Sequence, residues 1–168
     1  MPKIIENLEN RLMEEAVRQI EAEGYSAMTI RSVAKACGVG VGTVYNYFPS
    51  KEDLLARHLL QSWQSCITAI NAVSTYCDSP EPVLRCIHDQ LCAYANRHSA
   101  IFSDQAALFA YAGAFGKYHA LLRSQLAAPV QKFCEDSFAA EFIAEALLTW
   151  TMAGKDFDSV WGMLQKLF

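Results

Sequence analysis

The sequence lacks the features of several common protein classes. No apolar run in its 168 residues approaches the ~18 residues that a membrane-spanning helix needs, so we expect no membrane partner. The N-terminus turns acidic at Glu6 and lacks the apolar core of a signal peptide, which favours a cytoplasmic protein. The sequence also has no strand-like alternation, no internal repeat and no low-complexity segment.

The cysteine pattern points to no recognised site. The six cysteines form no Cys-x-x-Cys pair, and their spacing is irregular. In a reducing compartment we interpret them as small buried hydrophobic residues, with a thiol sensor as the alternative. His88 and Cys92 share a helix face, but no recognised spacing adds further ligands, and no catalytic signature surrounds Cys86, His98 or His119. We therefore expect no metal, no cofactor and no enzymatic activity.

The composition is that of a folded chain with little charge. Hydrophobic residues make up 52% and charged residues 19%, which excludes a disordered protein and leaves ample material for a core. The length fits one domain, or a small module fused to a larger one. With a net charge of −4, the chain as a whole is not a general polyanion binder, so any nucleic-acid contact must be local.

Apolar residues recur at helical spacing along nearly the whole chain, which predicts an all-α fold of about nine helices. The first helix should end at Gly24, a good C-cap residue. The second begins after the N-cap Thr29 and closes at Gly38, and a short third helix stops at Pro49. Ser50 can cap a long fourth helix that runs to about residue 76.

The rest of the chain is predicted to form five further helices. They are expected at about 81–97, 99–113, 116–128, 134–153 and 156–167. The residues expected to separate or cap these helices are Gly113, Gly116, Pro129, Gly154 and Asp156.

The first 48 residues have the layout of a helix-turn-helix, because a glycine turn joins two short helices. No acidic residue occurs from Gly24 to Lys51, while Arg31, Lys35 and Lys51 are present. A DNA duplex repels carboxylates, so an acid-free window is what contact with phosphates requires. A short glycine-rich connection also occurs in ordinary helical bundles, so the layout alone leaves both interpretations open.

The side chains of the third helix suit DNA recognition. Hydroxyl and amide groups can reach phosphate oxygens or base edges, and Gly42 allows the backbone to approach closely. Asn46 and Val41 are the candidates for direct base contact, and Lys51 is the candidate for a phosphate clamp. The full set of candidate DNA-binding residues is Thr29, Arg31, Val41, Gly42, Thr43, Tyr45, Asn46, Tyr47 and Lys51.

The segment Gly38–Leu54, GVGVGTVYNYFPSKEDL, strongly resembles the recognition segment of TetR-family transcriptional regulators. The upstream pairs Gly24-Tyr25, Thr29-Ile30 and Val33-Ala34 fit the same family, and the resemblance covers roughly residues 8–60. It implies that Thr43, Tyr45, Tyr47 and Lys51 touch DNA, mostly at phosphates. One departure is Gly40, which occupies a position where the family often has a hydroxyl residue that caps the helix.

The resemblance also implies two domains and a regulated function. Residues 1–49 would form the helix-turn-helix domain, and residues 50–168 a helical ligand-binding and dimerisation domain. The expected function is that of a ligand-responsive repressor, which binds double-stranded DNA at a palindromic operator as a homodimer and responds to an unknown small-molecule inducer.

Two residue sets are candidates for the inducer pocket and the dimer interface, and both sets could instead be ordinary core. The pocket candidates are Trp63, Tyr94, Phe102, Phe109, Tyr111, Phe115, Tyr118 and His119. The interface candidates are Phe138, Phe142, Ala146, Trp150, Phe157, Val160, Trp161 and Leu164. The alternative functions are a helical protein–protein interaction module and a thiol- or metal-responsive sensor without a small-molecule inducer.

Overall fold

A computed structural model describes residues 7–168, with the exception of the side chains of residues 111–118. Within these residues the chain is all-α, as predicted, and contains no strand. Single 3-10 turns lie at Gln131–Phe133 and Gln165–Leu167. The nine α-helices of the described part are α1 Leu8–Glu23, α2 Ile30–Cys37, α3 Val41–Tyr47, α4 Lys51–Tyr76, α5 Pro80–Arg97, α6 Ser99–Ser103, α7 Gln105–Ala127, α8 Ser137–Met152 and α9 Phe157–Leu164.

Local signals end the first helices where the sequence predicts. Gly24 follows α1 with a φ of 85°, a left-handed conformation that favours glycine. Thr29 caps α2, because its hydroxyl accepts a hydrogen bond from the Ser32 N–H at 3.0 Å. The Ser32 hydroxyl reciprocates at the Thr29 N–H, at 3.1 Å, so two N–H groups at the start of α2 are satisfied by side chains.

The contacts between residues divide the chain into two compact units. The first contains residues up to 62 together with 98–113, and the second contains 63–97 together with 114–168. The core of the first unit combines buried residues of α1, α2 and α3 with Leu54 and Leu55 of α4, Ile101 of α6 and Ala107 of α7. The predicted functional boundary after residue 49 stays a prediction, since compactness does not define function.

In the second unit α5 packs against α8 and α9. His88 of α5 is buried, and its Nε2 lies 2.9 Å from the carbonyl oxygen of Lys155, between α8 and α9. Phe157 of α9 is covered by the Arg85 guanidinium on its face and by the His88 ring at its edge. The Lys132 ammonium donates to the carbonyl of Cys77, at 2.6 Å, just after the end of α4.

The helix breaks predicted at Gly113 and Gly116 are wrong. Helix α7 runs through both positions, because a glycine in a long helix costs only about 1 kcal/mol relative to alanine. The break lies at Asp104 instead, whose carboxylate caps α7 through the N–H groups of Ala106 and Ala107. Two other helix boundaries agree with the prediction. Helix α7 ends before Pro129, and the last two helices are separated around Gly154, with Asp156 as the cap of α9.

The cysteines are thiols, and the expectation that they are all buried is wrong. Only Cys66 is buried, and the other five are intermediate in exposure. Burial nevertheless raises the pKa of Cys37, Cys66, Cys86, Cys92 and Cys134, which makes their reactive thiolate form scarcer. Among the residues that the structure describes, no helix is long and apolar enough to cross a membrane.

Replacement by alanine should change the free energy of unfolding in opposite directions at two glycines of the first unit. A Cβ at either Gly38 or Gly42 meets no atom within 4 Å, but Gly38 has a φ of 70° whereas Gly42 lies inside α3. Gly38→Ala should lower the free energy of unfolding by about 1–2 kcal/mol, since alanine is strained in the left-handed region. Gly42→Ala should raise it by up to about 1 kcal/mol through helix propensity. Urea denaturation of the full chain measures both, and equal effects would contradict this assignment of backbone strain.

Candidate nucleic-acid interface

Helix α3 has one buried face and one exposed face. Val44 and Phe48 point into the core of the first unit and are almost fully buried. Tyr45, Asn46 and Tyr47 lie between them in the chain and are exposed, the two tyrosines by 52% and 44%. Among the described residues, this face offers two hydroxyls and one amide, which are groups that bind phosphates and base edges.

The start of α3 is open to a close neighbour. Gly40 precedes the helix and supplies no side-chain cap, so the departure from the family pattern leaves this helix start without a hydroxyl. Gly42 is exposed, and no atom lies within 4 Å of the position that a Cβ would take. Val41 and Thr43 are only partly exposed. The backbone at Gly42 is thus accessible, as its predicted role requires.

The predicted contacts on α2 have different surroundings. Arg31 and Lys35 are exposed, and the acid-free sequence window leaves no carboxylate beside them in the chain. Thr29 is exposed too, but its hydroxyl already accepts the Ser32 N–H of the helix cap. Thr29 therefore has a structural task in addition to any contact with DNA.

Lys51 is held by the protein in a way that the sequence did not predict. Its ammonium donates to the carbonyl oxygens of Tyr25, at 3.2 Å, and Met28, at 3.4 Å. It also lies 4.0 Å from the centre of the Tyr25 ring, a cation–π arrangement. Because an ammonium has three donors, a contact with phosphate remains compatible with these two bonds. The role of Lys51 as a phosphate clamp stays a prediction.

Tyr25 connects this lysine to two carboxylates. Its hydroxyl donates to Glu52 Oε1 at 2.7 Å, and its backbone N–H donates to Asp104 Oδ2 at 2.7 Å. Burial, together with the bond to Glu52, raises the pKa of Tyr25, and the same bond lowers the pKa of Glu52. The Tyr25 N–H likewise lowers the pKa of Asp104. The sequence does not predict the contact between Asp104 and Tyr25: a polar residue before an apolar run indicates a helix cap, but not a hydrogen bond to a residue 79 positions away.

The structure brings together only some of the predicted pocket residues. Trp63 and Tyr94 are buried in the second unit with their rings 5.6 Å apart, and Trp63 Nε1 donates to Gln125 at 2.7 Å. Phe102 is half-buried in the first unit, whereas Phe109 is 86% exposed and lines no enclosed space. His119 lies 3.3 Å from the Glu145 carboxylate. The side chains of Tyr111, Phe115 and Tyr118 lie outside the described residues.

The predicted interface residues separate into two groups. On α8, Phe138, Phe142 and Trp150 are each at least half exposed, and Ala146 on the same face is intermediate. On α9 the structure turns most of the predicted stripe inward, because this helix packs against α5 and α8 of its own unit. The inward residues are Phe157, Val160 and Leu164, while Trp161 is intermediate and stacks on Phe157.

Metal ligands are not gathered anywhere in the described residues, where no three His, Cys, Asp or Glu side chains form a group that could hold an ion. The Cys92 sulfur lies 3.9 Å from both His88 ring nitrogens, and His88 Nε2 already faces the Lys155 carbonyl. This pair is accounted for by packing.

Comparison with known proteins agrees with the arrangement of the first helices. The family model described as "Bacterial regulatory proteins, tetR family" matches residues 12–57, which extend from α1 into α4. The HTH-type transcriptional regulator YuxN of Bacillus subtilis is 34% identical over 77 residues, which are 46% of this chain and 26% of that protein. The HTH-type transcriptional repressor KstR of Rhodococcus jostii is 37% identical over 54 residues, 32% of this chain and 26% of that protein.

A solved structure extends the likeness to nearly the whole chain. The TetR-family repressor FadR of Thermus thermophilus, in complex with lauroyl-CoA, has a TM-score of 0.62 at 19% identity, and the match covers 95% of this chain and 92% of that one. At this identity the match concerns the fold. The sequence matches span only about a quarter of the length of the two curated relatives. Over residues 12–57, from α1 into α4, the chain is similar to the tetR family of bacterial regulatory proteins.

Proposed function

We propose that this protein is a DNA-binding transcriptional regulator of the ligand-responsive repressor type, acting as a homodimer on a palindromic operator. The observation that carries the proposal is the outward face of α3, where Tyr45, Asn46 and Tyr47 are exposed while Val44 and Phe48 are buried. A helix held in this way can enter the major groove without unfolding any part of its own core.

Within that contact the side chains have distinct tasks. The hydroxyls of Tyr45 and Tyr47, together with Thr43 and Lys51, contact phosphates and fix the register on the duplex. The Asn46 amide reads a base edge, for which adenine is the best match, because the amide NH₂ can donate to adenine N7 while the amide oxygen accepts from the adenine N6 amino group. Val41 supplies an apolar contact beside it.

The homodimer forms through the aromatic face of α8. Two DNA-reading heads must lie about 34–36 Å apart, or a further helical turn, to reach successive major grooves. Phe138, Phe142 and Trp150 provide the apolar area that a subunit interface needs and that a monomer would expose to water. Phe157, Val160 and Leu164 are omitted from this interface because they are buried within the subunit.

Regulation follows from a shift between two conformations. The relative KstR is named a repressor, and the Thermus protein of similar fold binds lauroyl-CoA, which supports repression relieved by a small molecule. The buried, adjoining rings of Trp63 and Tyr94 are the candidates for contact with such an inducer. To switch the populations from 1:99 to 99:1, the inducer must favour one state by ~5.5 kcal/mol. Since the operator lies on the chromosome, the protein acts in the cytoplasm.

The experiment that tests this function is selection of genomic DNA fragments by the purified full chain, followed by sequencing. A short palindrome shared by the retained fragments supports the proposal. Binding that is salt-sensitive but independent of sequence would reject it, because phosphate contacts alone give that behaviour.

Replacement of the proposed base reader gives a second test. Asn46→Ala should relax the preference at particular base pairs of the selected operator by about 1–3 kcal/mol per half-site while binding to other sequences changes little. The matched control is Asn71→Ala, which removes the same side chain from an exposed position of α4. Competition binding with single-base operator variants measures both proteins. An unchanged base preference in the Asn46 variant would remove this residue as a reader.

The proposed dimer interface predicts the effect of a buried charge. Trp150→Glu should convert the dimer to a monomer at micromolar concentration, since an unpaired carboxylate at the centre of an apolar interface is strongly disfavoured. Tyr76→Glu, at an aromatic position that is 86% exposed, is the control and should leave the dimer intact. Sedimentation velocity distinguishes the two states. Trp161→Glu is expected to act in the same direction, but it also disturbs the stack on Phe157 within the subunit.

If Trp150→Glu leaves the dimer intact, the aromatic face of α8 is not the interface between copies. If Lys51 and Tyr47 can both be replaced without loss of function, the protein is a helical interaction module rather than a DNA-binding regulator. These two outcomes are separate, because the first concerns assembly and the second concerns the duplex.

A further inference from the structure

Asp104 uses its two carboxylate oxygens for two different purposes. Oδ1 accepts the N–H groups of Ala106, at 2.9 Å, and Ala107, at 3.1 Å, and so caps α7. Oδ2 accepts the Tyr25 N–H at 2.7 Å, on the turn between α1 and α2. An ordinary helix cap needs only the first of these contacts, so the second oxygen calls for a separate explanation.

The peptide unit that Asp104 holds is part of the site that holds Lys51. The Tyr25 N–H is bound by Asp104, while the Tyr25 carbonyl accepts the Lys51 ammonium at 3.2 Å. The Met28 carbonyl accepts the same ammonium at 3.4 Å, and the Tyr25 ring lies beneath it. A displacement of this turn therefore moves three of the groups that determine where the Lys51 charge lies.

Gly24 lies beside the Asp104 carboxylate and begins the turn. It adopts a φ of 85°, and a Cβ on this residue would lie 3.4 Å from Asp104 Oδ2. The turn thus has a backbone conformation that favours glycine, at the point where the carboxylate meets it. The arrangement lies entirely within the first compact unit, which includes residues 98–113 as well as the N-terminal helices.

We propose that Asp104 is a positioning residue for DNA binding, which fixes the Tyr25–Met28 turn and, through it, the Lys51 ammonium that meets a phosphate. Asp104 itself does not touch the duplex. The inference rests on the proposed function, since it assigns to Asp104 a share of the affinity for the operator. It makes the α6–α7 junction a determinant of DNA affinity that lies outside the helix-turn-helix segment.

The test is a double-mutant cycle on operator binding by the full chain, measured by fluorescence anisotropy over a series of salt concentrations. Lys51→Ala should weaken binding to all sequences and reduce the salt slope by about 1. Asp104→Ser keeps a hydroxyl that can cap α7 but cannot reach Tyr25, and should weaken binding about three- to tenfold. The double variant should bind like Lys51→Ala, because the effect of Asp104 passes through that lysine.

The control is Asp136→Ser, which makes the same substitution at a cap in the second unit, where Asp136 Oδ1 accepts only the Ala139 N–H at 2.8 Å in the described contacts. It should leave affinity and salt slope unchanged. If Asp104→Ser lowers stability too far for binding to be measured, Asp104→Asn serves instead, since its single carbonyl oxygen can retain the cap while its NH₂ group replaces the oxygen that Tyr25 requires.

The possible outcomes distinguish failure of the Asp104 role from failure of the proposed function. If the unaltered protein selects an operator but Asp104→Ser or Asp104→Asn binds it equally well, or if the losses from Asp104 and Lys51 multiply, the positioning role is rejected and the proposed function stands. If the unaltered protein selects no operator, the proposed function fails, and the inference fails with it. Faster hydrogen exchange of the Tyr25 amide in the DNA-free Asp104 variants checks the bond itself.

Discussion

The burial of Val44 of α3, and of Phe48 directly after it, is the constraint on which the proposed DNA contact depends. Helix α3 has seven residues and begins without a side-chain cap, so it has little stability of its own. Val44 and Phe48 insert into the core of the first unit, and this packing holds the helix and fixes its rotation. The packing that buries Val44 and Phe48 leaves Tyr45, Asn46 and Tyr47 exposed. The packing that stabilises α3 is therefore also what presents the proposed DNA-contacting side chains.

The charges around α3 follow a related logic. A DNA-contacting surface must limit free carboxylates, yet α4 begins with two acids immediately after Lys51. Asp53 accepts the Ser50 hydroxyl at 2.7 Å, and Glu52 accepts the Tyr25 hydroxyl at 2.7 Å, so both carboxylates are bound by protein donors. Their position also complements the positive end of the α4 dipole. The acids thus stabilise the start of α4, and the Lys51 charge beside them is drawn toward the Tyr25 turn.

Local chemistry explains which parts of the fold the sequence could predict. Gly24, the Thr29 cap and Gly38 each act on a few neighbouring residues, and the first helices end where these residues place them. The break predicted at the glycines is wrong because glycine weakens a helix without ending it. Helix α7 begins at the Asp104 cap instead, and nothing in the sequence distinguishes this aspartate from other polar residues. The contact of Asp104 with Tyr25 joins residues 79 positions apart, and only the packing of α6 within the first unit brings them together. The exposure of Tyr45, Asn46 and Tyr47 agrees with the sequence prediction, whereas Thr43 is only partly exposed.

The last two helices show where apolar spacing ceases to be informative. In α8, apolar residues occupy both faces, so that Ile143 and Leu147 are buried while Phe142 and Trp150 are exposed. A helix that is hydrophobic all round requires a partner on each side, and α5 of the same unit covers only one. In α9, the aromatic Phe157 is used within the unit by Arg85 and His88, which no periodicity could distinguish from an interface position. The exposed aromatic face of α8, with Phe142 and Trp150, is therefore the physical basis of the proposed homodimer, whereas the aromatic residue Phe157 of α9 is used within its own unit.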